Sequence, residues 1–249
     1  MTSITGHRGA RNLWPENSLT GFRNVLALDV DAVEFDVHLT EAGELVVIHD
    51  ATLDRTVEGT GPVREVTPQM RSALRLKESD EGIPTLGEVL SVLTSAENKQ
   101  LHIEIKSDAE GKPYPGIVEK VIAEIAGRGL ENRCHLTSFD VPILEECRRQ
   151  ASGIARLISV NRDWADRQGG LHAFLTRVRD LVEIVAIHHE LMDAEWASIT
   201  ASLPLSRLCV WTLNDAALIE KWLARGIGHL TTDRPDLALQ LRAKRLALA

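Results

Sequence analysis

The sequence predicts an α/β fold, and within that class a closed (β/α)8 TIM barrel, from three observations. Short apolar strands alternate with helices along the chain, which is typical of a parallel sheet. Eight strand–helix units can be counted in 249 residues, a common length for one barrel domain. An open doubly wound sheet is the alternative, but the sequence contains neither the G-x-G-x-x-G pattern nor a P-loop.

Each unit is a short apolar run followed by a helical period of apolar residues. The eight strands are predicted at 3–5, 33–38, 101–106, 134–137, 154–159, 182–187, 207–212 and 229–231. Helices are predicted at 19–27, 86–93, 116–126, 141–150, 171–179, 193–201 and 215–225, and a last helix starts at Asp233-Arg234-Pro235. Asn17 or Ser18 is suited to cap the first helix, and Thr85 with Glu88 predicts a capping box before the second.

Residues 51–84 are predicted to form a small insertion after the second strand, within a single domain that spans 1–249. The turn at Ala42-Gly43 and the apolar run 45–48 lead into this stretch. It lacks a strong helical period and contains turn-forming pairs such as Gly61-Pro62. We interpret it as a candidate lid beside the main fold. Arg55 is expected to form a salt bridge within the insertion rather than to contact a phosphate.

Two carboxylates lie on the same face of the second strand. Glu34 and Asp36 alternate with Val33, Phe35 and Val37, and alternate residues of a strand point to the same side. Like charges this close repel, and a hard divalent cation held by oxygen ligands would relieve the repulsion. The alternative is a pair of solvated carboxylates on an edge strand.

Other polar residues occur where strands end. His7 and Arg8 follow the first strand between two glycines, and His49 follows the apolar run 45–48. Glu104 and Lys106 share one face of the third strand. Histidine titrates near neutral pH, and arginine binds phosphate oxygens with a two-pronged fork. Each feature alone is also typical of a surface turn, but a barrel brings its strand ends to one mouth, where these side chains would converge.

Composition excludes several classes of protein. The net charge of −8 argues against a nucleic-acid partner, because the phosphate backbone attracts basic proteins. The three cysteines are scattered, without metal-ligand spacing, and fit reduced, mostly buried thiols in a cytoplasmic protein. The sequence contains no apolar run of the ~20 residues that a membrane span needs, and it does not begin like a secretory signal. We therefore expect no stable membrane insertion.

The motifs together resemble the glycerophosphodiester phosphodiesterase family over essentially the whole chain. The matching residues include His7-Arg8-Gly9, Pro15-Glu16-Asn17, Glu34-x-Asp36, His49-Asp50, Leu53-x-Arg55-Thr56, Gly59-x-Gly61, Ile83-Pro84-Thr85-Leu86, Glu104-Ile105-Lys106, Ser138-Phe139, Trp211-Thr212-Leu213-Asn214 and Thr232-Asp233-Arg234-Pro235. Each motif is weak alone, but the order and spacing are specific. The resemblance implies a TIM barrel with an insertion after the second strand.

The resemblance also implies roles for individual residues. Mg²⁺ or Ca²⁺ would be held by the carboxylates of Glu34, Asp36 and Glu104. His7 and His49 would be the catalytic acid–base pair. Arg8 and Lys106 would bind the substrate phosphate, and Trp211 would wall the substrate pocket. The sequence does not decide between a monomer and a homodimer.

The predicted activity is metal-dependent hydrolysis of a small glycerophosphodiester, such as glycerophosphocholine or glycerophosphoethanolamine, to sn-glycerol 3-phosphate and an alcohol. A lysophospholipase D or phospholipase C-like enzyme acting on lipid phosphodiesters is the nearest alternative. A barrel that binds phosphodiesters without cutting them is the alternative from another class.

Overall fold

Eight parallel strands close into a barrel in the computed structural model, which describes residues 1–247. The strands of this part of the chain are β1 (Ser3–His7), β2 (Ala32–Leu39), β3 (Leu45–Val47), β4 (Gln100–Ile105), β5 (Cys134–Ser138), β6 (Ala155–Val160), β7 (Ile184–His188), β8 (Leu208–Trp211) and β9 (His229–Thr232). Neighbours follow the order β1, β9, β8, β7, β6, β5, β4, β2, and a β1–β2 pairing closes the ring. The short strand β3 pairs antiparallel with β2. The predicted (β/α)8 barrel is therefore confirmed.

Helices connect successive strands around this barrel. They are α1 (Leu19–Leu26), α2 (Pro68–Ala73), α3 (Leu86–Leu93), α4 (Ile117–Ala126), α5 (Val141–Gln150), α6 (Arg162–Arg167), α7 (Leu171–Val178), α8 (His189–Ala194), α9 (Trp196–Ser202), α10 (Ala216–Ala224) and α11 (Pro235–Leu246). Ser18, rather than Asn17, caps α1. The predicted capping box of Thr85 and Glu88 is present at the start of α3.

The helix prediction was wrong in two places along the barrel, and the short helix α2 within residues 51–84 was also not predicted. The single helix expected at 193–201 is two short helices, because Glu195 leaves the helical region with φ −110° and ψ 19°. Helix α6 was not predicted. It has six residues and is capped by the Asn161 side chain, which makes it too short to show a helical period.

The alternation along β2 sorts its side chains between two environments. Val33, Phe35 and Val37 are fully buried against the helices, and Phe35 packs edge to face with Phe22 of α1 at 5.5 Å. The residues between them point into the barrel. Register then sets their neighbours, because Asp36 lies beside Glu104 of β4 and Glu34 lies beside both His7 of β1 and His102 of β4.

Residues 51–84 contribute no strand to the barrel. They contain a 3-10 helix at Val63–Glu65 and the helix α2. A separate apolar cluster of this segment and the preceding strand comprises Val46, Ile48, Leu53, Val57, Val63, Val66, Leu76 and Ile83. Arginine side chains also join the segment to the barrel: Arg71 pairs with Glu44 at 3.1 Å, and Arg64 pairs with Glu41 at 3.0 Å. The segment therefore has its own small core and is attached along one side of the barrel.

All three cysteines are buried and unpaired, as the sequence predicted. Across residues 1–247, none of the helices combines the length and apolar character that crossing a bilayer requires.

Candidate active site

A cavity of about 250 Å³ opens at the carboxyl-terminal ends of the barrel strands. Residues from all eight barrel strands and the loops after them surround it: His7, Arg8, Arg11, Glu34, His49, His102, Glu104, Thr137, Phe139, Leu157, Ser159, Ala186, Trp211, Thr212 and Thr231. Six of the eight predicted site residues are in this set. Of the other two, Asp36 and Lys106, each contacts a residue that is.

Three carboxylates form the most acidic part of the site. One oxygen each from Glu34, Asp36 and Glu104 lies within 4.8 Å of the others, a grouping that could hold a metal ion. Asp36 is 1% exposed and Glu34 is 7% exposed. The β2–β4 register explains the grouping, because it places Asp36 directly beside Glu104. The carboxylates predicted from the sequence are therefore brought together in a buried cluster.

Two cationic side chains border this cluster. Lys106 donates to Glu104 Oε1 at 2.7 Å and lies 3.5 Å from Asp36 Oδ1. Arg8 Nε lies 3.5 Å from Asp36 Oδ2. Burial alone would raise the pKa of Asp36, but the positive charges of Lys106 and Arg8 and the hydrogen bond from Asn17 outweigh it and lower that pKa. Asp36 is therefore ionised, and both cations lie beside the cavity.

Glu34 lacks an equivalent cationic partner. Burial and the neighbouring carboxylates of Asp36 and Glu104 raise the pKa of Glu34 well above its usual range. Its Oε2 accepts from the Arg8 backbone N–H at 3.1 Å, whereas its Oε1 is buried without a hydrogen bond, as is Asp36 Oδ1. Buried acceptors normally find a partner. Unpaired carboxylate oxygens in an all-oxygen cluster suit a hard cation such as Mg²⁺ or Ca²⁺.

His7 is held by a carboxylate from the far end of the chain. Its Nδ1 lies 2.5 Å from Asp233 Oδ1, and the Asp233 side chain is fully buried. Burial would raise the pKa of Asp233, but His7 and Arg11 outweigh it and lower that pKa to about 2. An ionised carboxylate only accepts, so Nδ1 carries the hydrogen. The other ring nitrogen, Nε2, lies 3.8 Å from Glu34 on the cavity side.

His49, which follows β3, is also held by a carboxylate. Its Nδ1 donates to Asp50 Oδ1 at 2.6 Å, and its backbone carbonyl accepts from His38 Nε2 at 3.1 Å. Burial is the main cause that lowers the pKa of His49, and Lys106 and Arg8 add to it. The imidazole is therefore favoured in the neutral form, with Nε2 available for proton transfer.

Aromatic residues form the wall opposite the carboxylates. Trp211 and Phe139 both line the cavity and pack edge to face at 5.6 Å. Trp164 of α6 packs against Phe139 at 6.4 Å, and His188 packs against Trp211 at 5.1 Å. His188, the last residue of β7, therefore supports the ring of Trp211.

Sequence reasoning missed residues that support the predicted groups. Asp233 was noted only as part of a motif. Asn214 was noted in the same way, yet it donates to Asp233 Oδ2 at 2.6 Å. Asn17 was considered as a helix cap and as part of a motif, but its Nδ2 donates to Asp36 Oδ2 at 3.0 Å. The signal available in the sequence was that these polar residues immediately follow or precede predicted elements.

One further expectation was wrong. Arg55 does not pair within the insertion, because its guanidinium binds Glu16 and Asp50. Glu16 in turn accepts from both Arg8 and Arg55.

Comparisons with known proteins agree with this geometry. The model of the glycerophosphoryl diester phosphodiesterase family matches residues 7–237. A glycerophosphodiester phosphodiesterase of Caldanaerobacter subterraneus subsp. tengcongensis is 36% identical over 257 aligned positions, which cover 98% of each chain.

Solved structures show the same fold. The glycerophosphodiester phosphodiesterase of Agrobacterium tumefaciens has a TM-score of 0.74 and 26% identity, covering 98% of this chain and 100% of its own. An Oleispira antarctica phosphodiesterase, solved in complex with the product sn-glycerol-3-phosphate, has a TM-score of 0.79 and 24% identity, covering 97% of this chain and 96% of its own. The chain therefore belongs to the glycerophosphoryl diester phosphodiesterase family and is a phosphoric diester hydrolase.

Proposed function

We propose that this hydrolase converts small glycerophosphodiesters, such as glycerophosphocholine or glycerophosphoethanolamine, to sn-glycerol 3-phosphate and an alcohol. The whole chain acts as one domain, with 51–84 as an insertion beside the mouth. The Oleispira antarctica relative, whose structure holds sn-glycerol-3-phosphate, supports this choice of product through the shared fold.

The observation that carries the proposal is the meeting of two carboxylate-backed histidines in one cavity. His7 and His49 both line it, and each has its Nδ1 bonded to a carboxylate, Asp233 or Asp50. Both rings are therefore fixed in the tautomer that keeps Nε2 free. Two such nitrogens can serve as a general base and a general acid in the same reaction.

The cationic groups place the phosphodiester. Arg8 and Lys106 lie beside the carboxylate cluster, where they can bind the phosphate oxygens and stabilise the charge that develops on them. Glu34, Asp36 and Glu104 would hold a divalent cation, Mg²⁺ or Ca²⁺. When bound, this cation supplies Lewis-acid stabilisation of the phosphate oxygens.

The histidines divide the proton transfers between them. One takes a proton from the attacking hydroxyl, which belongs either to water or to the glycerol 2-hydroxyl of the substrate. The other gives a proton to the leaving alcohol oxygen as its bond to phosphorus breaks. In the second route, water then opens a cyclic phosphate. Either route consumes one water and yields the same two products. Trp211 borders the space for the non-phosphate part of the substrate.

The test uses metal-stripped protein and glycerophosphocholine. Release of glycerol 3-phosphate is followed with EDTA, and then after addition of Mg²⁺, Ca²⁺ or Mn²⁺. We expect no release with EDTA and restored release with at least one cation. Full activity in EDTA after thorough stripping would contradict the metal requirement.

A parallel substrate series decides the substrate class. Lysophosphatidylcholine is assayed under the same conditions as glycerophosphocholine and glycerophosphoethanolamine. Turnover of the lysolipid alone would contradict the proposed substrate class and favour the lysophospholipase D or phospholipase C-like alternative.

A further inference from the structure

Arg55 lies on the insertion and forms hydrogen bonds with the carboxylates of Glu16 and Asp50. Its Nη1 and Nη2 each donate to Glu16 at 2.8 Å. Its Nε and Nη2 donate to Asp50 at 2.6 and 3.1 Å. An exposed ion pair contributes little by itself, but paired two-pronged contacts that form a network hold a fixed geometry. Arg55 therefore fixes the positions of both carboxylates relative to each other.

Asp50 connects Arg55 to His49, one of the two proposed catalytic histidines. The oxygen of Asp50 that accepts from Arg55 Nη2 also accepts from His49 Nδ1. Burial would raise the pKa of Asp50, but the hydrogen bonds from Arg55 and His49 outweigh it and lower that pKa to about 2. Asp50 is therefore an ionised acceptor whose orientation depends on Arg55, and the ring of His49 depends on Asp50.

Glu16 connects Arg55 to Arg8, which is proposed to bind the substrate phosphate. Glu16 Oε1 accepts from Arg55 Nη2 and from Arg8 Nη1, the latter at 3.2 Å. Arg8 is 7% exposed, and its backbone has φ 51°, a left-handed conformation that costs a non-glycine residue free energy. Glu16 thus helps to hold a strained, buried arginine beside the cavity.

Arg55 itself does not line the catalytic cavity. We propose that Arg55 is a positioning residue, which orients His49 through Asp50 and Arg8 through Glu16 and so makes the site depend on the insertion. The inference rests on the proposed function, in which His49 transfers a proton and Arg8 binds the phosphate.

Arg64 provides a matched control within the same insertion. Its side chain is 41% exposed, compared with 45% for Arg55, and it also binds a barrel carboxylate, Glu41, with two nitrogens at 3.1 and 3.0 Å. None of its acidic partners, Glu41, Asp108 and Glu110, lines the cavity. Loss of Arg64 removes a comparable surface tie without touching the catalytic groups.

The kinetic test compares Arg55→Gln, Arg55→Lys and Arg64→Gln with the wild type on glycerophosphocholine. We expect Arg55→Gln to lower kcat on the order of 10- to 100-fold, because small misplacements of reacting groups have effects of this size. KM should rise by a smaller factor than kcat falls, because Arg55 does not line the cavity and would reach the bound phosphate only through Arg8. Arg55→Lys should remain close to Arg55→Gln, because lysine keeps the charge but not the fork. Arg64→Gln should resemble the wild type.

Two kinetic results would overturn the proposal. Equal kcat values for Arg55→Gln and Arg64→Gln would show that Arg55 only attaches the insertion to the barrel. A raised KM that Arg55→Lys restores would instead make Arg55 a substrate-binding charge.

A variant that lacks the carboxylates of both Asp50 and Glu16 tests whether Arg55 acts through these two residues. In an Asp50→Asn and Glu16→Gln double variant, adding Arg55→Gln should change kcat by less than about 2-fold, because residues that act through one another are not additive. A further tenfold loss would mean that Arg55 acts by another path.

A measurement that does not need turnover separates this inference from the proposed function. In NMR spectra of the ring nitrogens, His49 should show hydrogen on Nδ1 in the wild type and in Arg64→Gln. Arg55→Gln should give a mixture of tautomers. An unchanged His49 signal in Arg55→Gln would refute the positioning role, whereas absence of wild-type release from any phosphodiester would refute only the proposed function.

Discussion

The two halves of the barrel mouth differ in charge. Strands β1 to β4 and the residues after them supply the ionisable groups of the cavity, whereas the lining residues from β5 to β8 carry none. The first set comprises His7, Arg8, Arg11, Glu34, His49, His102 and Glu104, and the second comprises Thr137, Phe139, Leu157, Ser159, Ala186, Trp211 and Thr212. We call these the charged half and the neutral half.

The difference indicates how a phosphodiester would lie in the cavity. Its anionic phosphate would be attracted to Arg8 and Lys106 in the charged half, and there the proposed catalytic histidines would reach the bonds that change. The remaining organic part then faces the neutral half, where Phe139 and Trp211 provide apolar contact. Losses in the charged half should therefore reduce catalysis, and losses in the neutral half should reduce binding.

Removal of either histidine from the charged half should have the largest effect. His7→Ala or His49→Ala is expected to lower kcat on the order of 10²–10⁴-fold, because each would remove a group that transfers a proton in the transition state. Steady-state kinetics measure the loss, and circular dichroism checks that the fold persists.

His172→Ala is the matched control for these variants, since His172 is exposed on α7, away from the cavity. It should keep wild-type turnover. Near-normal turnover of His7→Ala or His49→Ala would contradict the proposal that the reaction takes place in the charged half.

Loss of one carboxylate should weaken cation dependence. Glu34→Gln is expected to weaken the apparent affinity for the activating cation on the order of 10- to 100-fold, since it removes one charged oxygen ligand from an all-oxygen cluster. Titration of activity with Mg²⁺ or Ca²⁺ gives the affinity. Glu65→Gln, which changes an exposed glutamate of the insertion, should leave the titration unchanged, and an unchanged titration for Glu34→Gln as well would disprove the ligand role.

Truncation in the neutral half should act on binding. Trp211→Ala is expected to raise KM roughly 3- to 30-fold with a smaller change in kcat, because a buried aromatic contact is worth about 1–2 kcal/mol. Trp211→Phe should recover most of the loss. A fall in kcat of more than 100-fold at unchanged KM would show instead that the neutral half takes part in the chemistry.

A histidine on a strand of the neutral half should affect stability alone. Burial is the main cause that lowers the pKa of His135 to about 4, whereas an unfolded histidine titrates near 6.5. Between these values the unfolded chain binds more protons, so the folded state loses stability as pH falls from about 6.5 towards 4.

His135→Asn should remove part of this acid sensitivity, on the order of 1–2 kcal/mol at pH 5. Urea unfolding at pH 7 and pH 5 measures the difference from the wild type. If the free energy of unfolding has the same pH dependence in the variant and the wild type, protonation of His135 does not cause the loss of stability at low pH.

The sequence was sufficient for the barrel and for most of the charged half. Strand alternation placed Glu34 and Asp36 on one face, and the structure buries Val33, Phe35 and Val37 on the opposite face. Because parallel strand ends meet at one mouth of a barrel, residues as far apart as His7 and Lys106 could be assigned to the same site.

The supporting contacts could not be read in the same way. Arg55 was expected to pair within its own segment, since local partners are the simplest expectation, but it reaches Glu16, 39 positions earlier. Helix α6 and its Trp164 were not predicted, although Trp164 completes the aromatic wall through Phe139.

The sequence by itself determined the eight-unit barrel, the strand faces and the residue types at the strand ends, because strand and helix periods are local properties of the chain. The tertiary structure alone decided which side chains hold the proposed catalytic histidines. Asp233 meets His7 across 226 positions, because β9 pairs with β1 when the barrel closes. The sequence pattern around a residue does not reveal such a distant partner, because the two residues meet only once the barrel strands have paired in register.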